Sequence, residues 1–369
     1  SGDQGHSILF QGTTNCSFHN NIFTCTSNIN FIGGILIKSN AIAAIDNCSF
    51  IKNPDNTNSI ILNSNDFSFE NINQNGNSNL LIYQLSENTN DVSITNCKFD
   101  GCSTDEISCF NISLFTSSSF TFDDNTIQNM RSTNHQHYFG FFNGNNKVNS
   151  LQIHNMIFIN NIANSLFGGG ASLLFYDITS LSFYDCQFRN NRAEQDSLHS
   201  RPKPDSENNY FNGDGGGIQL GYFCPSNYDV LFERCNFFGN SAFRHGGAIA
   251  IQTFGTVNIM SCTFEQNVAD KISESSVNLL ENHFDLKKQG RGGAIYINPT
   301  YDTGSESCSS VNSFMKSVKI DDCTFRSNKA YGGYAIYIEG ENLGTEFLVT
   351  GNKFFDNFNI ETIDKNYSI

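Results

Sequence analysis

Three sets of residues in this chain are of types that could do chemistry. Two adjacent acid pairs, Asp123-Asp124 and Asp321-Asp322, could supply the separated carboxylates of glycoside hydrolysis or part of the calcium-binding cluster of a polysaccharide lyase. His135-Gln-His137 puts two imidazoles on one face of a strand, where both could reach a metal. Twelve Cys could form disulfides in an oxidising compartment or bind a metal as thiolates. None of the three has the partners its chemistry needs. No Gly-His-Gly or Arg-x-Lys stands near either Asp pair, no acidic or Cys third ligand is near the His pair, and no C-x-x-C occurs. A phosphate loop, a nucleophile elbow and a dinucleotide motif are also missing. The expectation is therefore a protein without catalytic residues, cofactor or metal.

Composition narrows the class further. The 369 residues include 35 Phe, 13 Tyr, no Trp and 52 Asn, about one residue in seven. Charged residues are 15% of the chain, and the net charge of -15 comes from few Lys and Arg rather than from acidic blocks. No basic face for nucleic acid is visible, and no run of about 18 apolar residues could cross a membrane as a helix. Ser1 is not an initiating Met and no apolar secretion segment follows it, which marks a processed or excised piece. With Asn, Ser, Thr, Gly and β-branched residues throughout, helix should be nearly absent.

The elements that must position these residues come from a repeat. C-x-F-x-x-N recurs at Cys16, Cys48, Cys186, Cys262 and Cys323. Relaxing the Cys gives eleven copies, centred on Phe18, Phe50, Phe69, Phe99, Phe122, Phe158, Phe188, Phe237, Phe264, Phe325 and Phe354. Asn stands three residues after the Phe in nine of them, with Ile72 and Cys102 the exceptions. In a strand, i and i+2 share a face, so the Cys and Phe positions point inward together. The Asn that follows, among them Asn191, Asn240, Asn267 and Asn328, is expected to take a left-handed backbone, turn the chain and form a vertical ladder at one corner.

A second motif comes after the first: Gly33-Gly34-Ile35, Gly216-Gly217-Ile218, Gly246-Gly247-Ala248, Gly292-Gly293-Ala294 and Gly332-Gly333-Tyr334, with a looser Gly168-Gly169-Gly170-Ala171. Paired Gly supply a tight corner or a close backbone approach before the next strand. A mean spacing of about 34 residues, two or three strands per unit and no helical crossover predict an all-β fold: a single parallel β-helix of about eleven coils, spanning 1–369. At coil spacings of about 4.8 Å the rod would be roughly 50 Å long, with a Phe column inside.

These alternating motifs closely resemble the F-x-x-N and G-G-A-[ILV] repeats of the chlamydial polymorphic outer membrane proteins and of similar surface proteins in some protists. The resemblance runs from about Cys16 to Asn357. It implies a right-handed β-helix exposed at the cell surface or secreted, with adhesion as its usual role. One departure is that the bacterial members carry a C-terminal membrane barrel, whereas 358–369 holds nothing of that size. A cleaved passenger, or a protist relative without a barrel, would account for it.

Seven of the Cys fall at the inward position of the C-x-F strand, where either stacked thiols or column disulfides fit; Cys186, Cys235, Cys262 and Cys323 would form one column and Cys16 with Cys48 a shorter one. Off the column, Cys102 with Cys109 is the most local candidate disulfide. Sequons stand at Asn15, Asn47, Asn111 and Asn366 as candidate glycosylation sites. Three inserts, 194–214, 270–289 and 298–316, break the rhythm. The first two leave the same corner, two coils or about 10 Å apart, and loops on a rigid scaffold are a usual place for recognition. The expected partner is a cell-surface protein or glycan held by lateral loops, with self-association through the solenoid ends as a further contact. Two other readings stand beside adhesion: a glycan-binding or polysaccharide-degrading β-helix enzyme, and a filament subunit.

Overall fold

The computed structural model describes side chains within 94–100, 121–131, 150–163, 180–194, 214–220, 229–251, 255–270, 290–298, 317–338 and 346–360 and at 170 and 178, and the backbone alone of the remaining strand residues from 8 onward. Every pairing between its strands is parallel. The coil beginning at residue 229 shows how the sequence builds one turn. In Asp229–Glu233 the alternation points Val230 and Phe232 inward. Arg234, at φ 54°, turns the chain; Cys235 points in, and Asn236–Phe238 buries Phe237. Gly239, at φ 64°, makes the second corner; Asn240 points in, and the two-residue strand Ser241–Ala242 follows. A Gly-Gly corner then leads to Ile249–Ile251. One coil thus has four strands, where the sequence pattern indicates two or three.

The coils stack into four walls. One is an unbroken eleven-stranded sheet from Ile22–Cys25 to Lys353–Phe355. In the second, a five-stranded sheet ending at Ser119–Asp123 adjoins a six-stranded one that begins at Ser150–His154. In the third, a seven-stranded sheet ending at Leu173–Tyr176 adjoins a four-stranded one that begins at Ile218–Leu220. The fourth, of eight two-residue strands, starts at Ser103–Thr104. Among the described residues, the eleven strands of this sheet mark eleven coils of a parallel β-helix.

The interior is a set of columns. Phe158, Phe188, Phe237, Phe264, Phe325 and Phe354 stack ring on ring with centroids 4.7 to 5.0 Å apart, the spacing of paired strands. From the neighbouring wall Phe183 and Phe232 stack on each other at 4.8 Å and meet Phe188 and Phe237 edge to face.

The register corrects the membership of the Phe column at three places. Phe18, Phe69 and Phe122 belong to the five-stranded sheet, where Phe18 and Phe69 both pair with Ile45, and Phe69 and Phe122 both pair with Ile94. The corresponding positions of the eleven-stranded sheet are Phe23, Gln74 and Ile127. The reason is visible at Asn125. It stands at the first corner rather than the second, yet its Nδ2 donates to the Ile94 carbonyl at 2.8 Å and its Oδ1 accepts the Cys97 N–H at 2.8 Å. At the second corner Asn161 does the same for the Ile127 carbonyl and the Met130 N–H. F-x-x-N is a code for a corner, and this solenoid has two corners that accept it.

Candidate functional site

The corners carry the first set of expected residues. Asn191, Asn240, Asn267 and Asn328 are fully buried and form a ladder that extends from Asn161 to Asn357. Each Oδ1 accepts the backbone N–H and the Nδ2–H of the Asn one coil below, and each Nδ2 donates to the carbonyl of the Phe in that lower coil. The left-handed backbone is one residue earlier than expected, at Asn190, Gly239, Gln266 and Ser327. Asn is at the buried position for its amide, which caps two backbone groups of the coil beneath.

Cys186, Cys235, Cys262 and Cys323 line the first corner as free, buried thiols, with the Cys235 N–H 3.4 Å from the Cys262 Sγ and the Cys262 N–H 3.4 Å from the Cys323 Sγ. Burial, with a neighbouring thiol, pushes the Cys186 and Cys262 thiols well above the ordinary value. Cys16 is in register with Ala43, and Cys48 lies outside the described residues. Cys102 and Cys109, His135 and His137, and Asn15, Asn47 and Asn366 lie outside the described residues; Asn111 is in the strand Phe110–Ser113.

The acid pairs have structural places. Asp124 and Asp322 are exposed corner residues at φ 57° and 51°. Asp123 accepts the His154 N–H at 2.9 Å. Asp321 accepts the Thr350 hydroxyl at 2.7 Å, which with Lys319 holds its carboxyl below the usual range.

A further cluster stands where the inserts leave the rod. Within each Gly pair the two residues have different tasks. Gly246 and Gly292 sit at φ 63° and 68°, and a Cβ on Gly247 would meet the Gly293 carbonyl oxygen at 2.1 Å. Ile218 is in register with Ile249, so the equivalent pair in the coil below is Gly215-Gly216 rather than Gly216-Gly217. Immediately before Gly215, Gly246 and Gly292 stand Asp214, His245 and Arg291; His245 and Arg291 are bridged in register, and the Gly215 N–H bonds the His245 carbonyl. Asp214, the last residue assigned to the first insert, is instead fully buried within the coil. It accepts Arg244 Nε at 3.1 Å and Nη2 at 2.8 Å, and the His245 N–H at 3.1 Å. Burial raises its pKa, and the Arg244 guanidinium works in the opposite direction. The His245 ring lies on Tyr296 at 4.4 Å and its Nδ1 accepts the Arg291 N–H, while the Arg291 guanidinium covers Tyr337 at 4.6 Å. Burial, then the charges of Arg244 and Arg291, hold His245 well below its ordinary pKa. In register with Tyr296 one and two coils down are Ala250 and Gln219, and the buried Gln219 Oε1 has no hydrogen-bond partner.

This arrangement fastens the corner: the Asp214 carboxylate is fully engaged by three donors, and the neutral imidazole is a packed ring. The signal for it was in the sequence, since Asp214, His245 and Arg291 each stand directly before a run of Gly, at 215–217, 246–247 and 292–293. The third insert is also shorter than expected, because the next strand already starts at Met315.

The geometry defines a parallel β-helix repeat protein whose coils are marked by F-x-x-N and Gly-Gly corners. Residues 261–298 match the repeat of the Chlamydia polymorphic membrane protein. That segment runs from the Cys262-Thr-Phe264 strand through Asn267 to Gly292-Gly293-Ala294, one passage from the first corner to the third wall with the second insert inside it. No curated protein and no solved structure matches the chain.

Proposed function

We propose that this protein is a non-enzymatic, surface-exposed or secreted β-helix that acts in adhesion, holding a cell-surface protein or glycan with the loops that leave one side of the rod. The observation that carries the reading is the construction of the insert corner. The chain passes from Ala242 to Gly246 through three residues, 243–245, and from Ala330 to Gly333 through two, so the coil closes without an insert. At Ala193 and Ala269 the same passage carries about twenty residues more. Material that the scaffold does not need, set on a corner fastened by Asp214–Arg244 and by stacked rings, suits recognition. The match of 261–298 to a repeat of a membrane protein family supports a place at the surface.

The test replaces 194–213 and 270–289 by connections of the short kind and measures binding of the purified chain to intact cells and to glycan and protein arrays. Loss of binding with an unchanged melting temperature supports the reading. Retained binding removes the loops from it. Reducing-sugar release or unsaturated product from pectin or pectate, abolished by changing Asp321 or Asp322, would replace adhesion with catalysis.

A further inference from the structure

Stacking the coils sorts the charges of the described residues by corner. The first corner is acidic: Asp124, Asp185 and Asp322 stand on it, and Asp123, Glu233 and Asp321 each come one residue before it. Its one arginine, Arg234, is taken up by Asp185 at 2.8 and 2.9 Å and by Glu233, and His154 is bonded to Asp123 at 3.1 Å. The second corner has the opposite sign. Arg189 and Arg326 hold the last outward position of the eleven-stranded sheet, and Arg131, Arg192 and Lys329 the outward position of the fourth wall. The four Arg are exposed and Lys329 is half-exposed. In these two columns, from the coil of Gln128 to that of Arg326, Glu265 is the one carboxylate. Among the described residues Arg131 and Arg189 have no ion-pair partner, and Arg192 shares Glu194 at 3.1 Å. Arg326 and Lys329 lie over the rings of Phe355 and Phe358, which neutralises neither charge.

No stretch of the sequence shows this strip, because its members are spread from 131 to 329 and meet only when coils stack. In a chain of net charge -15 it is a local reversal of sign. The cations form a row along the rod: Arg192 is two strands above Arg131 in the fourth wall and Lys329 three strands above Arg192, heights of about 10 and 14 Å. A small anion reaches one of these groups. A linear polyanion lying along the corner reaches all three, and each contact after the first is intramolecular. Guanidinium forks suit oxyanions. On the corner itself Asn129, Asn160, Asn190 and Gln266 expose amides, which suit the hydroxyls of sugar rings, whereas a nucleic-acid base would find only the half-buried Phe238 to stack on. We propose that the second corner binds a linear acidic polysaccharide, its sulfate or carboxylate groups at the cations and its hydroxyls at the amides. The site is on the scaffold itself and does not rest on the insert loops.

Surface plasmon resonance of the full chain over immobilised heparin and immobilised hyaluronan tests this, with neutral dextran and duplex DNA as competitors. The interrupting variant is Arg189→Gln with Arg192→Gln, and the control is Arg234→Gln with Lys319→Gln, which removes the same charge from the acidic side. All four side chains are at least partly exposed, and equal melting temperatures would verify that both variants fold. The expected result is salt-dependent binding by the parent and the control. For the second-corner variant affinity should fall about tenfold, and the slope of log affinity against log salt by about one per cation removed. Binding to heparin alone assigns sulfate as the recognised group, and binding to hyaluronan as well assigns carboxylate. No binding to either polymer at low salt would overturn the proposal. An equal loss in both variants would reduce it to net charge, and no loss in the second-corner variant would place the contact elsewhere; either result overturns it. Competition by dextran, or by DNA as strongly as by heparin, would also overturn it, in favour of a neutral glycan or a nucleic acid.

Discussion

At the scale of single residues, Asn267 shows how much of the fold rests on one amide. All four of its hydrogen-bonding positions are used inside the protein: Oδ1 by the Asn240 N–H and Nδ2–H, and Nδ2 by the Phe237 carbonyl and Asn328 Oδ1. Asn267→Leu keeps the volume but leaves buried donors and acceptors of two coils unpaired, at about 1–3 kcal/mol for each backbone group. Chemical denaturation should show a loss of about 3 kcal/mol, and a midpoint equal to the parent's would mean that the ladder does not hold the coils. His245 gives a prediction of a different kind. Its folded pKa lies well below 6.5, so the unfolded chain takes up a proton that the folded corner, between Arg244 and Arg291, refuses. The stabilising contribution is complete above about pH 6.5 and is lost as the pH falls below it. Replacing His245 by Asn should flatten the fall in melting temperature between pH 6.5 and 5; an unchanged slope would show that this ring does not govern it.

At the scale of elements, the Gly pairs separate two requirements that look the same in sequence. A Cβ on Gly247 would meet the Gly293 oxygen at 2.1 Å and the Val268 nitrogen at 2.5 Å, all backbone, whereas on Gly332 its nearest neighbour would be the Arg291 Cγ at 3.8 Å. Gly247→Ala should thus cost several kcal/mol, roughly the scale of overpacking strain, and Gly332→Ala close to nothing. Equal melting temperatures for the two variants would refute the close stacking of the corners. The same contrast explains what the sequence disclosed. Phe188, Phe237, Phe264 and Phe325 were legible as a column because inward positions alternate and Asn follows at a fixed distance. Phe122 was misplaced because Asn125 serves the first corner with the same local pattern that Asn161 serves at the second. Ser241–Ala242 could not be foreseen as a wall, since two residues are too few to show a period. The Asp214–Arg244 pair escaped because its members are thirty residues apart and meet only when coils stack.

At the scale of the whole molecule, the fold turns sequence distance into height. Lys98, Gln187, Thr263 and Lys353 hold the same register position of the eleven-stranded sheet, on its outward side. Gln187, Thr263 and Lys353 are three, five and seven strands above Lys98. The intervals in sequence are uneven because the inserts leave the rod, while the intervals in height are set by strand pairing at about 4.8 Å. A rod of this kind gives lateral loops fixed positions, and the proposed function depends on it. The most direct test is pulsed dipolar spectroscopy between spin labels introduced through an unnatural amino acid, which leaves the twelve cysteines untouched. One label is at Lys98 and the other in turn at Gln187, Thr263 and Lys353. Stacked coils predict mean separations of about 14, 24 and 34 Å, rising linearly by about 4.8 Å per coil. Separations that do not increase with coil number, or that follow the sequence interval instead, would contradict the solenoid.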